Sequence, residues 1–292
     1  MSLPERIFLG WDRPTLECAA DWLLEKHGAN LGDVTLVLPG RRAGRRLMEL
    51  LSDRAPSDWT PPTFMTLAQL SDALAAYPFA RAEDPLRNLA WIAALQEVPA
   101  DAMQQLIPHA PKSKDLEAWW PVAEMLRALH SELAAEALTF QDVLQAANEE
   151  DLPRWEVLAT LQKRFAEILK EANCGDPHLM RLTTLRSGQT DPFAGELIVL
   201  GLPEANALQR GLLELMTPAW TSLIAAPAEL EDHFDALGFV IPAAWQERPL
   251  SVEPKRVHVC NDAKHQAESV LECLRTSRGQ YAAEEITLGV LD

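Results

Sequence analysis

The sequence predicts an α/β fold with a mostly parallel sheet, and two observations support this. Short apolar runs alternate with helical patterns over residues 1–83. The same alternation returns near Glu196, after a long stretch without strand patterns. Because helix-length connections separate the successive strands, we expect right-handed crossovers and parallel pairing.

The first three strands are each followed by a helix. "RIFLG" predicts a strand at residues 6–10, and the next helix has Pro14 at its first position and Gly28 as its stop. "VTLVLP" predicts the second strand, and residues 41–52 the helix after it. A third short strand in "PTFMTLAQLSDALAA" runs into a helix that begins near Thr66.

Residues 84–186 are predicted to form an all-helical insertion. Four helical patterns rich in Ala, Leu, Glu and Gln fill this segment, without a convincing strand. Thr139 and Asp142 have the spacing of a capping box. Trp119 and Trp120 lie among Leu and Ala at helical spacing, which is more typical of a core than of a platform for stacked bases.

The predicted organisation has four segments. Residues 1–83 and 187–250 form one α/β domain around the insertion, with strands in "ELIVLGLP" and "WTSLIAAP" and a proline-rich linker at the end. Residues 251–292 begin a second α/β domain, with strand "RVHVC", a packing helix at 262–278 and strand "EITLGVLD". Because one β-α-β unit buries its sheet poorly, we expect the chain to be part of a longer protein.

Composition restricts the compartment and the partners. With 26 Lys and Arg against 43 Asp and Glu, the formal charge is -17, so the average surface field should repel nucleic acid. The four cysteines lie far apart and form no Cys-x-x-Cys pair, which argues against zinc and suits a reducing cytosol. No signal-peptide pattern or membrane-spanning apolar run is present, so we expect a cytoplasmic protein.

A cluster of four cations contrasts with this acidic background. "TLVLPGRRAGRRLMELL" places Arg41, Arg42, Arg45 and Arg46 at the start of a helix. A basic first turn opposes the helix macrodipole, at a cost of about a few tenths of a kcal/mol, unless an anion binds there. We therefore expect contact with a phosphate backbone. Pairing with the many acids, or a solvated helix face whose arginine stems cover apolar neighbours, would also explain the cluster.

The order of segments resembles that of superfamily-1 DNA helicases, in which a large helical insertion interrupts an α/β core and a second α/β unit follows. In that family, a turn with one basic and two small residues contacts single-stranded DNA. "LPGRRAGRRL" is similar to it, with Arg42, Ala43 and Gly44 at those positions.

"PTFMTLAQLSDAL" resembles the next DNA-contacting motif of the same family. Thr63 and Phe64 would end the strand, and Thr66 would be the polar residue that opens the helix. Met65 stands where the family usually has a histidine.

The ATPase positions of that family are empty in this sequence. "LGWDRPTLE" after the first strand lacks the lysine and the second glycine of a phosphate loop. Leu200 and Gly201 occupy the positions of the magnesium-binding acids. Ala225, Ala226 and Pro227 stand where a γ-phosphate-sensing glutamine is expected.

This combination resembles the AddB-type subunit of bacterial helicase–nucleases. The resemblance implies a P-loop-NTPase-like core, inactivated as a helicase, that guides single-stranded DNA in double-strand-break repair beside a motor and nuclease partner subunit. A RecB-type nuclease with an iron–sulfur cluster would lie beyond residue 292. For this part of the chain it implies no catalytic residue, cofactor or metal. The DNA-binding residues would be Arg41, Arg42, Arg45, Arg46 and Thr66.

Two other functions remain open from the sequence. One is a scaffold that packs against a partner without touching DNA, which the acidic net charge favours. The other is an α/β enzyme whose active site needs a missing C-terminal part.

Overall fold

The computed structural model describes residues 3–112, 114–216, 220–246, 248–249, 253–283 and 286–290. The chain forms two compact units, Met1–Trp245 and Gln246–Asp292.

A five-stranded parallel sheet is the centre of the first unit. In spatial order its strands are β1 (Glu5–Phe8), β7 (Thr221–Ile224), β6 (Glu196–Leu200), β2 (Val34–Val37) and β3 (Thr63–Met65). All neighbouring pairs are parallel, which confirms the predicted α/β fold with a mostly parallel sheet. β1 and β2 lie apart because β6 and β7, from much later in the chain, pair between them.

Helices cover both faces of this sheet. The helices up to residue 246 are α1 (Thr15–His27), α2 (Arg41–Arg54), α3 (Leu67–Leu74), α4 (Asp84–Gln96), α5 (Ala100–Met103), α6 (Leu116–Ala135), α7 (Phe140–Ala146), α8 (Leu152–Glu171), α9 (Pro177–Ser187), α10 (Ala207–Glu214) and α11 (Pro242–Gln246). Leu36 and Ile198 pack with α1 and α2 on one face. Val37 and Val199 pack with α3 and α10 on the other, because successive strand side chains point to opposite faces.

Helices α4 to α8 form a block with a core of its own. The capping box of Thr139 and Asp142 is confirmed at the start of α7, and Trp119 is buried as predicted. The prediction of no strand in residues 84–186 was wrong at one point. β5 (Cys174–Gly175) pairs in parallel with β4 (Ala80–Arg81), where the chain leaves and enters the block. A two-residue strand has no sequence periodicity, so only tertiary contact reveals it.

A buried polar cluster joins the helices of this block. Asp176 accepts hydrogen bonds from His130 Nε2 at 2.9 Å and Arg87 Nε at 2.8 Å, and it also caps the start of α9. Gln162 donates to His130 Nδ1 and accepts from the backbone N–H of Phe140. Burial alone would raise the pKa of Asp176, but the hydrogen bond from His130 and the charge of Arg87 outweigh burial and lower it.

The second unit contains α12 (Ala263–Thr276) and a short 3₁₀ helix, Pro254–Arg256. The predicted helix is confirmed. None of its described side chains is fully buried, and Ser269, Val270 and Leu274 are partly buried. Strands predicted at 256–260 and 285–292 were wrong where they are described, since residues 257–260 and 286–290 form no strand. A strand needs a partner for its backbone groups, and the described part of this unit supplies no sheet. The other residues of the last predicted strand lie outside the described ranges.

Candidate nucleic-acid interface

The ends of β2 and β3 bring the arginine cluster next to the second predicted DNA-contacting stretch. Val37 pairs with Met65, and the backbone N–H of Leu38 donates to the carbonyl of Met65 at 3.0 Å. Because parallel strands end at one edge of a sheet, α2 and α3 begin side by side. Clefts at that edge are common ligand sites in α/β proteins.

A groove of about 560 Å³ opens between these two helix starts. We call it the α2–α3 groove. Its apolar lining consists of Leu38, Met48, Phe64 and Met65. Its polar lining consists of Arg41, Arg45, Thr66 and Gln69, and Gly40 and Gly44 complete it. Leu38 is buried, whereas both arginines and Gln69 are exposed, so the apolar part is deeper than the cationic part.

The structure brings three of the five predicted DNA-binding residues to the α2–α3 groove. Arg41, Arg45 and Thr66 line it, although Thr66 follows Arg41 by 25 positions in the chain. Arg42 and Arg46 are exposed but do not line the groove. Neighbouring residues point about 100° apart around a helix, so these two side chains lie on the adjacent strip of α2.

Most arginines of the first unit pair with carboxylates, but three in this cluster do not. Arg46 pairs with Glu49 at 2.9 Å. Over the described residues, no carboxylate lies within salt-bridge distance of Arg41, Arg42 or Arg45, and Arg154 on α8 shares this property. Among the described residues, pairing with acids of this chain therefore accounts for Arg46 but not for the other three members of the cluster.

The start of α2 lacks the groups that usually satisfy a helix N-terminus. Gly40 offers no side-chain cap, and the first turn has no acid. The backbone N–H groups there point outwards without a side-chain acceptor, and the helix dipole favours negative charge. Two exposed guanidinium groups, Arg41 and Arg45, add to this positive field beside the groove.

The start of α3 is capped instead. Thr66 Oγ1 accepts from the backbone N–H of Gln69 at 3.3 Å, and Gln69 Oε1 accepts from the backbone N–H of Thr66 at 2.9 Å. The sequence predicted Thr66 as a DNA-binding residue but did not point to Gln69. The Thr-x-x-Gln spacing of a capping box was the signal that could have found it.

The end of β1 shows how the chain is arranged where a phosphate loop would begin. The backbone N–H of Leu9 donates to Ile224 O at 2.9 Å, and that of Gly10 donates to Ala226 O at 3.0 Å. The indole N–H of Trp11 donates to Ala225 O at 2.8 Å. The Leu9 bond thus continues the pairing of β1 with β7, and the Gly10 and Trp11 donors are bound to carbonyl groups just after β7. Leu200, at the end of β6, is buried and apolar.

Within the described ranges, no group of three or more His, Cys, Asp or Glu side chains is arranged to hold a metal ion. Nor does any helix in those ranges have the length and apolar character that crossing a bilayer requires.

Comparison with protein-family models gives no match for this chain, and comparison with curated proteins gives none either. The case for a function therefore depends on the geometry of the α2–α3 groove and on the sequence motifs that form it.

Proposed function

We propose that this chain is a DNA-binding region that holds single-stranded DNA at the α2–α3 groove and does not hydrolyse ATP. One observation carries the proposal. In a chain with a formal charge of -17, Arg41, Arg42 and Arg45 have no carboxylate partner in the described structure and lie at one uncapped helix start.

The two kinds of lining match the two parts of a nucleotide. Phosphates would pair with Arg41 and Arg45, and the open start of α2 favours the same negative charge. Phe64 and the methionines offer apolar surface to a base, which an unpaired strand exposes and a duplex hides. This combination favours single-stranded DNA over a simple anion.

The proposed lack of ATP hydrolysis is supported at the end of β1, the outer strand on the opposite side of the sheet from β3. The loop after β1 has no lysine, and the backbone N–H of Gly10 is occupied by the carbonyl group of Ala226. A phosphate loop needs such N–H groups free to bind phosphate oxygens. Movement along DNA would therefore need energy from another protein.

Together with the sequence resemblance, these features lead us to propose the inactivated, P-loop-NTPase-like helicase region of an AddB-type subunit. It would act in cytoplasmic double-strand-break repair with a motor and nuclease partner subunit. The full-length protein would carry its own nuclease beyond this region.

The test is fluorescence anisotropy of the 292-residue chain with a labelled single-stranded oligonucleotide over a salt series. We expect the affinity of wild type to fall with salt. For Arg41→Glu and Arg45→Glu, we expect weaker binding and a salt slope smaller by about 0.7 for each lost phosphate contact with a single strand.

Arg154→Glu is the matched control. Arg154 is also an exposed arginine without a carboxylate partner in the described structure, and it lies in the first turn of α8, outside the α2–α3 groove. It should change binding little. Equal weakening by all three variants would contradict the groove as the site. No binding by wild type at low salt would contradict the function and favour a scaffold, and DNA-stimulated phosphate release from ATP would contradict the lack of ATPase activity.

A further inference from the structure

The side-chain amide of Gln69 is only partly used by the fold. Its Oε1 accepts from the backbone N–H of Thr66 at 2.9 Å and lies 3.2 Å from Thr66 Oγ1. In the described parts of the chain, its Nε2 donates to no acceptor. Gln69 is exposed and lines the α2–α3 groove.

The capping box decides which end of this amide is available. Because the Thr66 N–H can bond only to the oxygen, the amide cannot turn over without losing the cap. The end that remains is the nitrogen, which carries two donors and no acceptor. A ligand next to Gln69 therefore meets hydrogen-bond donors, as it does at Arg41 and Arg45 on the other side of the groove.

We propose that Gln69 is a further DNA contact, with Nε2 donating to a phosphodiester oxygen of the strand that lies in the α2–α3 groove. This inference depends on the proposed function. It adds a neutral donor on α3 to the cations on α2, so that the strand would be held from both walls of the groove.

The molecule provides an internal control for this proposal. Asn206 and Gln209 form the same capping box at the start of α10, with Gln209 Oε1 accepting from the Asn206 N–H at 3.1 Å. α10 also follows a strand of the same parallel sheet, but Gln209 does not line the α2–α3 groove. The two glutamines thus make the same capping box but differ in position relative to the groove, and Gln209 is half-buried whereas Gln69 is exposed.

The experiment compares Gln69→Glu with Gln209→Glu in the same anisotropy assay. Glutamate keeps the capping box, so both variants should unfold at the wild-type temperature. Gln69→Glu loses both donors and places a carboxylate near phosphate, so we expect binding to weaken about tenfold or more. Gln209→Glu changes the net charge equally, and we expect a change of less than about twofold because salt screens the distant charge.

Lysine variants at the same two positions separate the effect of helix capping from the effect on DNA binding. Gln69→Lys keeps donors in the groove but removes the acceptor of the cap. We expect Gln69→Lys and Gln209→Lys both to lower thermal stability. Gln209→Lys should bind DNA as wild type does, and Gln69→Lys should bind it as tightly or more tightly. Weaker binding by Gln69→Lys would overturn the proposal, because the cap would then be what matters.

An abasic oligonucleotide identifies the acceptor. If Nε2 bonds to phosphate, Gln69→Glu should weaken binding of this probe by the same factor. A loss restricted to strands with bases would overturn the phosphate assignment. Equal weakening by Gln69→Glu and Gln209→Glu would overturn the Gln69 contact but leave the proposed function intact, whereas absence of wild-type binding would overturn both.

Discussion

Arg87 in the helical block and Arg41 at the start of α2 show two opposite uses of the same residue type. The side chain of Arg87 is 5% exposed and pairs with Asp176 at 2.8 Å and Asp84 at 3.0 Å. Arg41 is exposed and has no carboxylate partner within the described structure. A buried charge must be compensated for the chain to fold, whereas an exposed charge is already hydrated. The comparison indicates that the fold needs Arg87, and that Arg41 is available for a ligand.

The largest effect should come from removing the acceptor of the buried cluster. Asp176→Ala leaves Arg87 and His130 buried without their common partner, so we expect a loss of about 3–5 kcal/mol of unfolding free energy. Asp115→Ala is the control, because Asp115 also caps a helix but is exposed. It should cost about 1 kcal/mol. Urea denaturation measures both, and equal losses would show that capping alone explains Asp176.

The second prediction concerns the dependence of folding stability on pH. Burial lowers the pKa of His178 to about 3, and Arg181 lies 3.3 Å from its Nδ1. Below the unfolded-state pKa of about 6.5, the unfolded chain gains a proton that the folded chain lacks. Stability should therefore fall as pH drops from about 6.5 towards 3, by at most about 1.4 kcal/mol per pH unit from this group.

His178→Gln tests this, since the variant should lose that part of the slope in denaturation curves between pH 6.5 and 4. His109→Gln is the control for loss of a histidine at an exposed position. Parallel curves for wild type and His178→Gln would mean that His178 is protonated in the folded state.

Substitutions at the start of α2 should change the stability less, and in the opposite direction. Arg41→Gln and Arg45→Gln each remove a charge that opposes the helix dipole, so stability should stay the same or rise by about a few tenths of a kcal/mol. Arg87→Gln, in contrast, should cost about 3–5 kcal/mol. Thermal unfolding of the three variants compares the contributions of these arginines to stability directly. A large loss for Arg41→Gln would contradict our view that the fold does not need this residue.

The smallest change in stability should be at Arg46, which pairs with Glu49. The Arg46–Glu49 pair is exposed and spans three positions of a helix. A double-mutant cycle should therefore give about 0.2–0.5 kcal/mol, decreasing as salt is added. A coupling above about 1 kcal/mol would exceed what surface pairs usually provide.

The elements that could be predicted from the sequence are those with a local signal. β2 is a short run of buried, mostly apolar residues, and α2 combines a Pro-Gly turn with buried leucines at helical spacing, so both were correctly predicted. The strands predicted at 256–260 and 285–292 have a similar local pattern, yet their described residues form no strand. The two cases differ in whether a neighbouring strand is present. An apolar pattern indicates only a tendency to form a strand, and hydrogen bonding to a neighbouring strand decides whether the strand forms.

The features of the candidate site also fall into those with a local sequence signal and those that depend on packing. The sequence by itself determined that four arginines cluster at one helix start, that the chain is acidic, and that the loop after β1 has no lysine. Only the tertiary structure decided that Arg41 and Arg45, but not Arg42, share a groove with Thr66 and Gln69. It also decided that no acid in the described part of the chain pairs with Arg41, Arg42 or Arg45. The physical reason is that helix rotation and the pairing of β2 with β3 set these neighbours, and both depend on packing against the whole sheet.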